Sequence, residues 1–233
     1  MKIKKSFIAL FLVSAAFILL NSFGVAQAES PQNDPLFPAD PEGCTVIIVG
    51  KDASVDGSVM STHTCDCGMC DWTFRFVPAA DHKAGSVRKI YQISKHLTWP
   101  PSKGLKWEKY KDDYTGTDIP QVLHTCAYIH GMFGYMNENQ VAIGESTIGC
   151  RSKLRNRTPS ALIDLTTLTQ LGMERAKTAR DAIKIMGSLA EKYVYGFNDG
   201  GEMLAVSDPK EVWIFEIIPV GPLWTPKSGK PGA

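Results

Sequence analysis

Apolar and polar residues alternate with a period of two in the first half of the chain and take helical spacing later. Strands are predicted over 45–50, 58–64, 72–77, 87–93, 128–137 and 140–145, two helices near 162–173 and over 178–195, and a final hairpin over 203–207 and 211–218. A loop rich in Pro, Trp and Lys is predicted over 98–118. Strands, then helices, then strands indicate an α+β layered domain built from short, mostly antiparallel strands.

The first 28 residues have the pattern of a secretory signal peptide. Three lysines within residues 2–5 precede an apolar stretch over 7–20, and residues 26–28 (AQA) fit the small-x-small cleavage rule. The stretch is too short, with the wrong flank, to predict a membrane span. We therefore expect export from a bacterial cytoplasm to the periplasm or the medium, without a stable membrane anchor.

Residues 29–43 are rich in proline and acidic side chains and end directly before a cysteine that opens an apolar strand, Cys44. Such a segment is poorly suited to a core and is either a linker or a short propeptide. Cleavage of the Gly43–Cys44 bond would put a thiol nucleophile and a free α-amine on one residue, and the amine could take the thiol proton. The alternative is an ordinary buried strand cysteine. Residues 44–233 are long enough for one domain.

The balance of charges excludes one class of partner. Lys and Arg number 25 and Asp and Glu 24, a formal net charge of +1. This argues against binding of nucleic acid or a membrane surface through bulk charge.

A second cysteine cluster follows the second predicted strand. Cys65, Cys67 and Cys70, with His63 beside them, could bind zinc as three thiols and an imidazole. The usual second pair of ligands is missing and an exported protein favours disulfides, so we expect no metal here. Cys65–Cys70 is the preferred pair, because a bridge from Cys65 to Cys67 would strain so short a loop.

Three blocks of sequence, in order, resemble the dipeptidases of family C69, which belong to the N-terminal-nucleophile hydrolases. They are residues 44–58 (CTVIIVGKDASVDGS), 134–145 (GYMNENQVAIGE) and 205–216 (AVSDPKEVWIFE). The resemblance implies an αββα sandwich, a cysteine exposed by autoproteolysis, and hydrolysis of the amide bond of dipeptides without metal or organic cofactor. Relatives are much longer, so the fold is expected to be incomplete at its C-terminus.

The resemblance assigns Cys44 as the nucleophile. Where the family commonly has an arginine this sequence has His63, which could orient the thiolate, bind a substrate carboxylate or simply fill the site. Asp66 falls where an aspartate is expected and would anchor the new α-ammonium or the substrate amine; a solvated loop aspartate is the alternative.

The strand after the asparagine turn lines the site in related enzymes. Asn137 is therefore a candidate for substrate binding, with a turn role as the alternative. Glu145, Ser146 and Thr147 are candidates for substrate or oxyanion contacts. Two other functions stay open: an amidase acting on acylated amino acids or bile-salt-like amides, and an inactive, truncated exported domain.

Overall fold

The computed structural model describes residues 44–65, 74–91, 114–151, 154, 161–196 and 200–233. These all lie in one compact unit, residues 42–233. The predicted signal peptide and propeptide lie outside the described residues, as do Asp66, Cys67 and Cys70.

The described chain is a mixed fold of antiparallel sheets and two α-helices. Its strands are β1 (Cys44–Val49), β2 (Met60–Cys65), β3 (Arg75–Val77), β4 (Ala80–Asp81), β5 (Val87–Tyr91), β6 (Tyr114–Pro120), β7 (His124–Thr125), β8 (Tyr128–His130), β9 (Gly134–Asn137), β10 (Ala142–Ile148), β11 (Gly201–Ser207) and β12 (Val212–Ile217), and its helices are α1 (Leu165–Arg175) and α2 (Ala179–Tyr193). The predicted α+β class is confirmed.

The central sheet has six strands in the order β12-β11-β10-β9-β8-β3, and every pair in it is antiparallel. β1 and β2 form a separate two-stranded ribbon. The pairs β4–β7 and β5–β6 complete the described sheets. The pairs β1–β2, β8–β9, β9–β10 and β11–β12 join strands that follow one another in the chain, whereas β10 and β11 are separated by both helices.

Both helices begin at a side-chain cap. Asp164 accepts a hydrogen bond from Thr167 N at 2.7 Å, and Thr178 accepts one from Asp181 N at 3.1 Å. A cap of this kind satisfies one of the donors that the first turn leaves without a partner. Nearly all of α1 is buried, whereas α2 buries one face through Ala182, Met186 and Ala190.

The core lies between these helices and the central sheet. Its fully buried residues include Val141, Leu168, Leu171, Met173, Leu204 and Val206. Gly134 allows α1 to approach β9, because a Cβ there would lie 2.7 Å from Thr169 O. The buried N–H of Gly134 donates instead to Thr169 Oγ1 at 3.0 Å.

Two predictions about the strands are wrong in part. The loop predicted over 98–118 overlaps strand β6 from Tyr114 onward, where Thr and Ile alternate and pair with β5. The single strand predicted over 128–137 is two strands, because the chain turns at Gly131, whose N–H donates to Phe133 O at 3.0 Å. An apolar run in the sequence does not by itself indicate where the chain turns back to form a second strand.

Candidate active site

The ribbon of β1 and β2 brings Cys44 and His63 to one face. Cys44 pairs with Cys65 and Val46 pairs with His63. Directly opposed residues of an antiparallel pair share a face, and so do residues two apart in a strand. Cys44 and His63 therefore lie on the same face of the ribbon.

That face packs on β10 at a glycine. A Cβ at Gly144 would lie 3.3 Å from His63 Cβ and 3.3 Å from Val46 Cγ1, so a larger residue would push the ribbon outward. Ile143, the neighbour of Gly144, lies against α1 near Gly172. Adjacent strand residues point to opposite faces, so at this point β10 is covered by a helix on one side and by the ribbon on the other.

The Cys44 thiol is half-buried beside a carboxylate. Its Sγ lies 3.6 Å from Glu145 Oε2, to which the thiol donates. Burial raises the pKa of Cys44 well above the ordinary value for a thiol, and the Glu145 charge and the neighbouring Cys65 thiol raise it further. The thiol is therefore protonated at neutral pH in the uncut chain.

Glu145 is 2 % exposed and has four polar neighbours. Thr147 Oγ1 donates to its Oε1 at 3.2 Å, and His63 Nε2 lies 3.7 Å from its Oε2. Burial alone would raise the pKa of this carboxyl, but His63, Glu202 and Thr147 together hold it below the ordinary value. The site therefore holds a buried negative charge next to the thiol.

His63 lacks a hydrogen bond at the ring nitrogen nearest the thiol and the carboxylate. Nε2 is buried, and its 3.7 Å distance to Glu145 Oε2 is longer than a hydrogen bond. The ring lies near Phe133, with centroids 6.3 Å apart. A buried polar atom without a partner is rare and is a frequent sign of a functional site.

Ser146 and Thr147 fix the start of β1. Ser146 Oγ donates to the carbonyl oxygen of Cys44 at 3.0 Å. The backbone N–H of Thr147 hydrogen-bonds the Cys44 thiol and lowers its pKa, against the larger effect of burial. A backbone N–H directed at the thiol favours its thiolate form.

A cleft of about 440 Å³ opens beside this cluster. Its polar lining includes Ser61, Thr62 and His63, and its apolar wall includes Phe74, Ile129 and Met136. Its volume lies in the range of small-molecule sites.

The three residues predicted to be near the nucleophile on β10 are thus brought to it, but Asn137 is not. Its Nδ2 donates to Met173 O at 3.0 Å and Ala176 O at 2.8 Å, and its Oδ1 accepts from Asn139 N and Val141 N. These bonds use the whole amide to close the end of α1 and the turn before β10. The structure favours the turn role over substrate binding for Asn137.

One site residue was missed by sequence reasoning. Glu202 is 5 % exposed, lies opposite Thr147 in β11 and hydrogen-bonds Glu145. A charged residue at the start of an otherwise apolar strand was the available signal, but the strand was predicted to begin at residue 203, two positions after its actual start at Gly201.

The sequence matches the model of one protein family, peptidase family C69, over residues 43–227. The chain belongs to peptidase family C69. Its function is that of a cysteine peptidase, and the resemblance inferred from the three sequence blocks is confirmed. The match begins one residue before Cys44 and spans every described residue of the cluster.

For this C69 peptidase two predicted site residues lie outside the described part of the chain. Asp66 follows β2 directly, and the predicted Cys65–Cys70 bridge needs Cys70. Both stay predictions. Among the described helices, none is long and apolar enough to cross a membrane.

Proposed function

We propose that the protein is an exported dipeptidase whose nucleophile is the Cys44 thiol, freed by removal of residues 1–43. The observation that carries the proposal is the cluster of thiol, carboxylate and imidazole at the first residue of β1. Cys44 Sγ and His63 Nε2 lie 3.6 and 3.7 Å from Glu145 Oε2. A nucleophile at the start of a strand can carry its own base on its own backbone nitrogen.

The proposed organisation is a signal peptide over 1–28, a propeptide over 29–43 and the catalytic domain from residue 44 onward. The lysine-rich start, apolar stretch and AQA site support the first assignment. Export places the protein in the periplasm or outside the cell. The layering of α1, the central sheet and the ribbon is consistent with an αββα sandwich, which we propose as the fold.

In the proposed maturation, the Cys44 thiol attacks the carbonyl carbon of Gly43 and the peptide bond breaks. A thioester forms, water hydrolyses it, and Cys44 keeps a free α-amine. In turnover this amine takes the thiol proton, the thiolate attacks the scissile carbonyl and an acyl-enzyme forms. The ammonium returns its proton to the leaving amine, and water releases the acid product. No metal or organic cofactor takes part.

The proposed substrate class rests on charge and size. Glu145 offers a buried carboxylate beside the thiol, and a dipeptide carries an α-ammonium that a carboxylate attracts. The neighbouring cleft of about 440 Å³ accommodates a small peptide. An acylated amino acid has no such ammonium.

The first experiment determines the start of the active protein. Amino-terminal sequencing and intact mass should give Cys44 as the first residue of the active form. Cys44→Ala should abolish activity and leave residue 43 attached, whereas the matched Cys150→Ser variant should mature and act normally. An active form that begins only at residue 29 would contradict the proposal.

A second experiment compares unmodified dipeptides with the same dipeptides acetylated on the α-amine. The proposal expects hydrolysis of the free form and little of the acetylated form. A preference for acylated substrates would favour the related amidase instead. A matured chain that cleaves neither would favour an inactive domain.

A further inference from the structure

Three side chains of the cluster have the donor set and spacing of a metal site. The ligand atoms of Cys44, His63 and Glu145 all lie within 4.8 Å of one another. A tetrahedral Zn²⁺, with bonds of about 2.3 Å to sulfur and about 2.1 Å to nitrogen and oxygen, separates sulfur from oxygen by about 3.6 Å and nitrogen from oxygen by about 3.4 Å. The observed distances to Glu145 Oε2 are 3.6 Å from Cys44 Sγ and 3.7 Å from His63 Nε2.

The residues around the three candidate ligands also suit a bound cation. His63 Nε2 is buried and lies 3.7 Å from Glu145 Oε2, too far for a hydrogen bond, so in the neutral tautomer that leaves Nε2 unprotonated its lone pair is available to a metal. Glu145 is hydrogen-bonded by Thr147 and Glu202, as metal-binding carboxylates usually are. His63 also lines the cleft, which is open to solvent.

We propose that Cys44, His63 and Glu145 form a three-ligand site for Zn²⁺ or a similar borderline divalent cation, and that this ion inhibits the enzyme. On binding, the thiol releases its proton to solvent and sulfur forms a bond to the metal, while water fills the fourth position. The sulfur lone pair needed for attack is then engaged. The metal is an inhibitor that a chelator removes, and the catalytic reaction does not use it.

The test measures binding without turnover, so it decides the site even if the dipeptidase proposal fails. The chelator-treated, reduced chain is titrated with Co²⁺ as a spectroscopic probe and then with Zn²⁺ as a competitor. We expect one Co²⁺ per chain with a thiolate-to-cobalt charge-transfer band, and loss of that band in Cys44→Ala. Loss of a residue that hydrogen-bonds a metal ligand weakens metal binding roughly 10- to 100-fold, so Glu202→Gln should weaken Co²⁺ binding by that factor. Glu145→Gln removes a ligand and should weaken Co²⁺ binding at least as much.

Matched controls separate this site from other donors. Cys150→Ser and His124→Ala remove a thiol and an imidazole elsewhere, the second beside the carboxylate of Asp81, and both should bind as the wild type does. Cys70→Ser tests the cysteine loop. Binding that survives Cys44→Ala, or that disappears in Cys70→Ser while Glu145→Gln retains it, would overturn the proposal.

A measurement on the unaltered protein guards against variants that fail to fold. Zn²⁺ should protect Cys44 from alkylation, read by mass spectrometry of its peptide, and should leave Cys150 as reactive as before. Addition of a chelator should restore labelling of Cys44. Equal labelling of Cys44 with and without saturating Zn²⁺ would show that the thiol is not a ligand.

Discussion

Two glutamates of this protein, Glu174 and Glu145, are both buried but differ in how well their charges are paired. Glu174, 5 % exposed at the end of α1, receives a two-pronged contact from Arg88, with Nη2 2.9 Å and Nε 3.1 Å from Oε1. The hydroxyl of Tyr128 adds a third donor at 3.4 Å. The charge is fully matched by short, directed bonds to a permanent cation.

Glu145, 2 % exposed on β10, has no such cation among its described partners. Its contacts with Cys44 and His63 are long, and its other neighbours are a hydroxyl and a second carboxyl, that of Glu202. Burial of a poorly matched charge is unfavourable. The comparison shows that Glu174 is paired within the fold, whereas Glu145 is poorly matched, as expected of a residue that binds the ammonium or the metal ion proposed above.

The largest effect on stability is expected at the matched pair. Arg88→Met leaves the Glu174 charge buried without its partner and should lower the free energy of unfolding by about 3 kcal/mol. Thermal or urea unfolding measures it. The matched Arg180→Met change breaks the exposed pair with Glu211 and should lower the free energy of unfolding far less, because solvent screens that pair. Equal losses in both variants would remove the distinction between the two environments.

An intermediate loss of stability is expected at a third carboxylate, that of Asp208, whose hydrogen bonds all come from backbone N–H groups. Asp208 accepts from Ala179 N and Lys210 N at 2.8 Å and from Glu211 N at 3.1 Å. Burial would raise its pKa, but these bonds hold the pKa below the ordinary 3.8. Asp208→Asn should lower the free energy of unfolding by about 2 kcal/mol at neutral pH.

The sign of the pH dependence follows from the depressed pKa of Asp208. Its stabilisation is complete above the ordinary pKa of 3.8 and is lost as the pH falls through the lower pKa of the folded state. The difference between wild type and Asp208→Asn should therefore shrink below pH 3.8. Asp56→Asn, in an exposed turn, is the control and should leave the melting temperature nearly unchanged. A difference that grows in acid would contradict this account.

The smallest effect on stability, and the largest on activity, is expected at Glu145. Glu145→Gln removes a poorly matched buried charge and should change the free energy of unfolding by less than about 1 kcal/mol. It should also lower kcat/KM for dipeptides roughly 100-fold, since about 2.7 kcal/mol of charge interaction in the transition state would be lost. Glu174→Gln should instead lower the free energy of unfolding and leave kcat/KM nearly unchanged. A large loss of stability in Glu145→Gln with normal activity would reverse the assignment of the two residues.

Local patterns predicted much of the fold. Apolar residues at helical spacing made α1 and α2 predictable to within a few residues, whereas their caps, Asp164 and Thr178, were not predicted. The hairpin of β11 and β12 followed from the turn at Asp208. β6 was missed because its Thr and Gly residues acquire strand character only through pairing with β5.

The site was predictable where one residue had an unusual position in the sequence. Cys44 and the run over 145–147 stood out by their places at a strand start and on a core strand. Glu202 depends on β10 and β11 pairing in one register, which the sequence of either strand alone does not fix. Asn137 was ambiguous because an asparagine amide serves a turn and a ligand with the same atoms.

The pairing of the ribbon begins with Cys44 opposite Cys65 and runs without a gap to Val49 opposite Met60. Every ladder position of β1 thus belongs to the segment that would remain after a cut before Cys44. Folding and activation then become separable events: the chain can complete this sheet first, and a single broken bond can switch on the nucleophile without refolding.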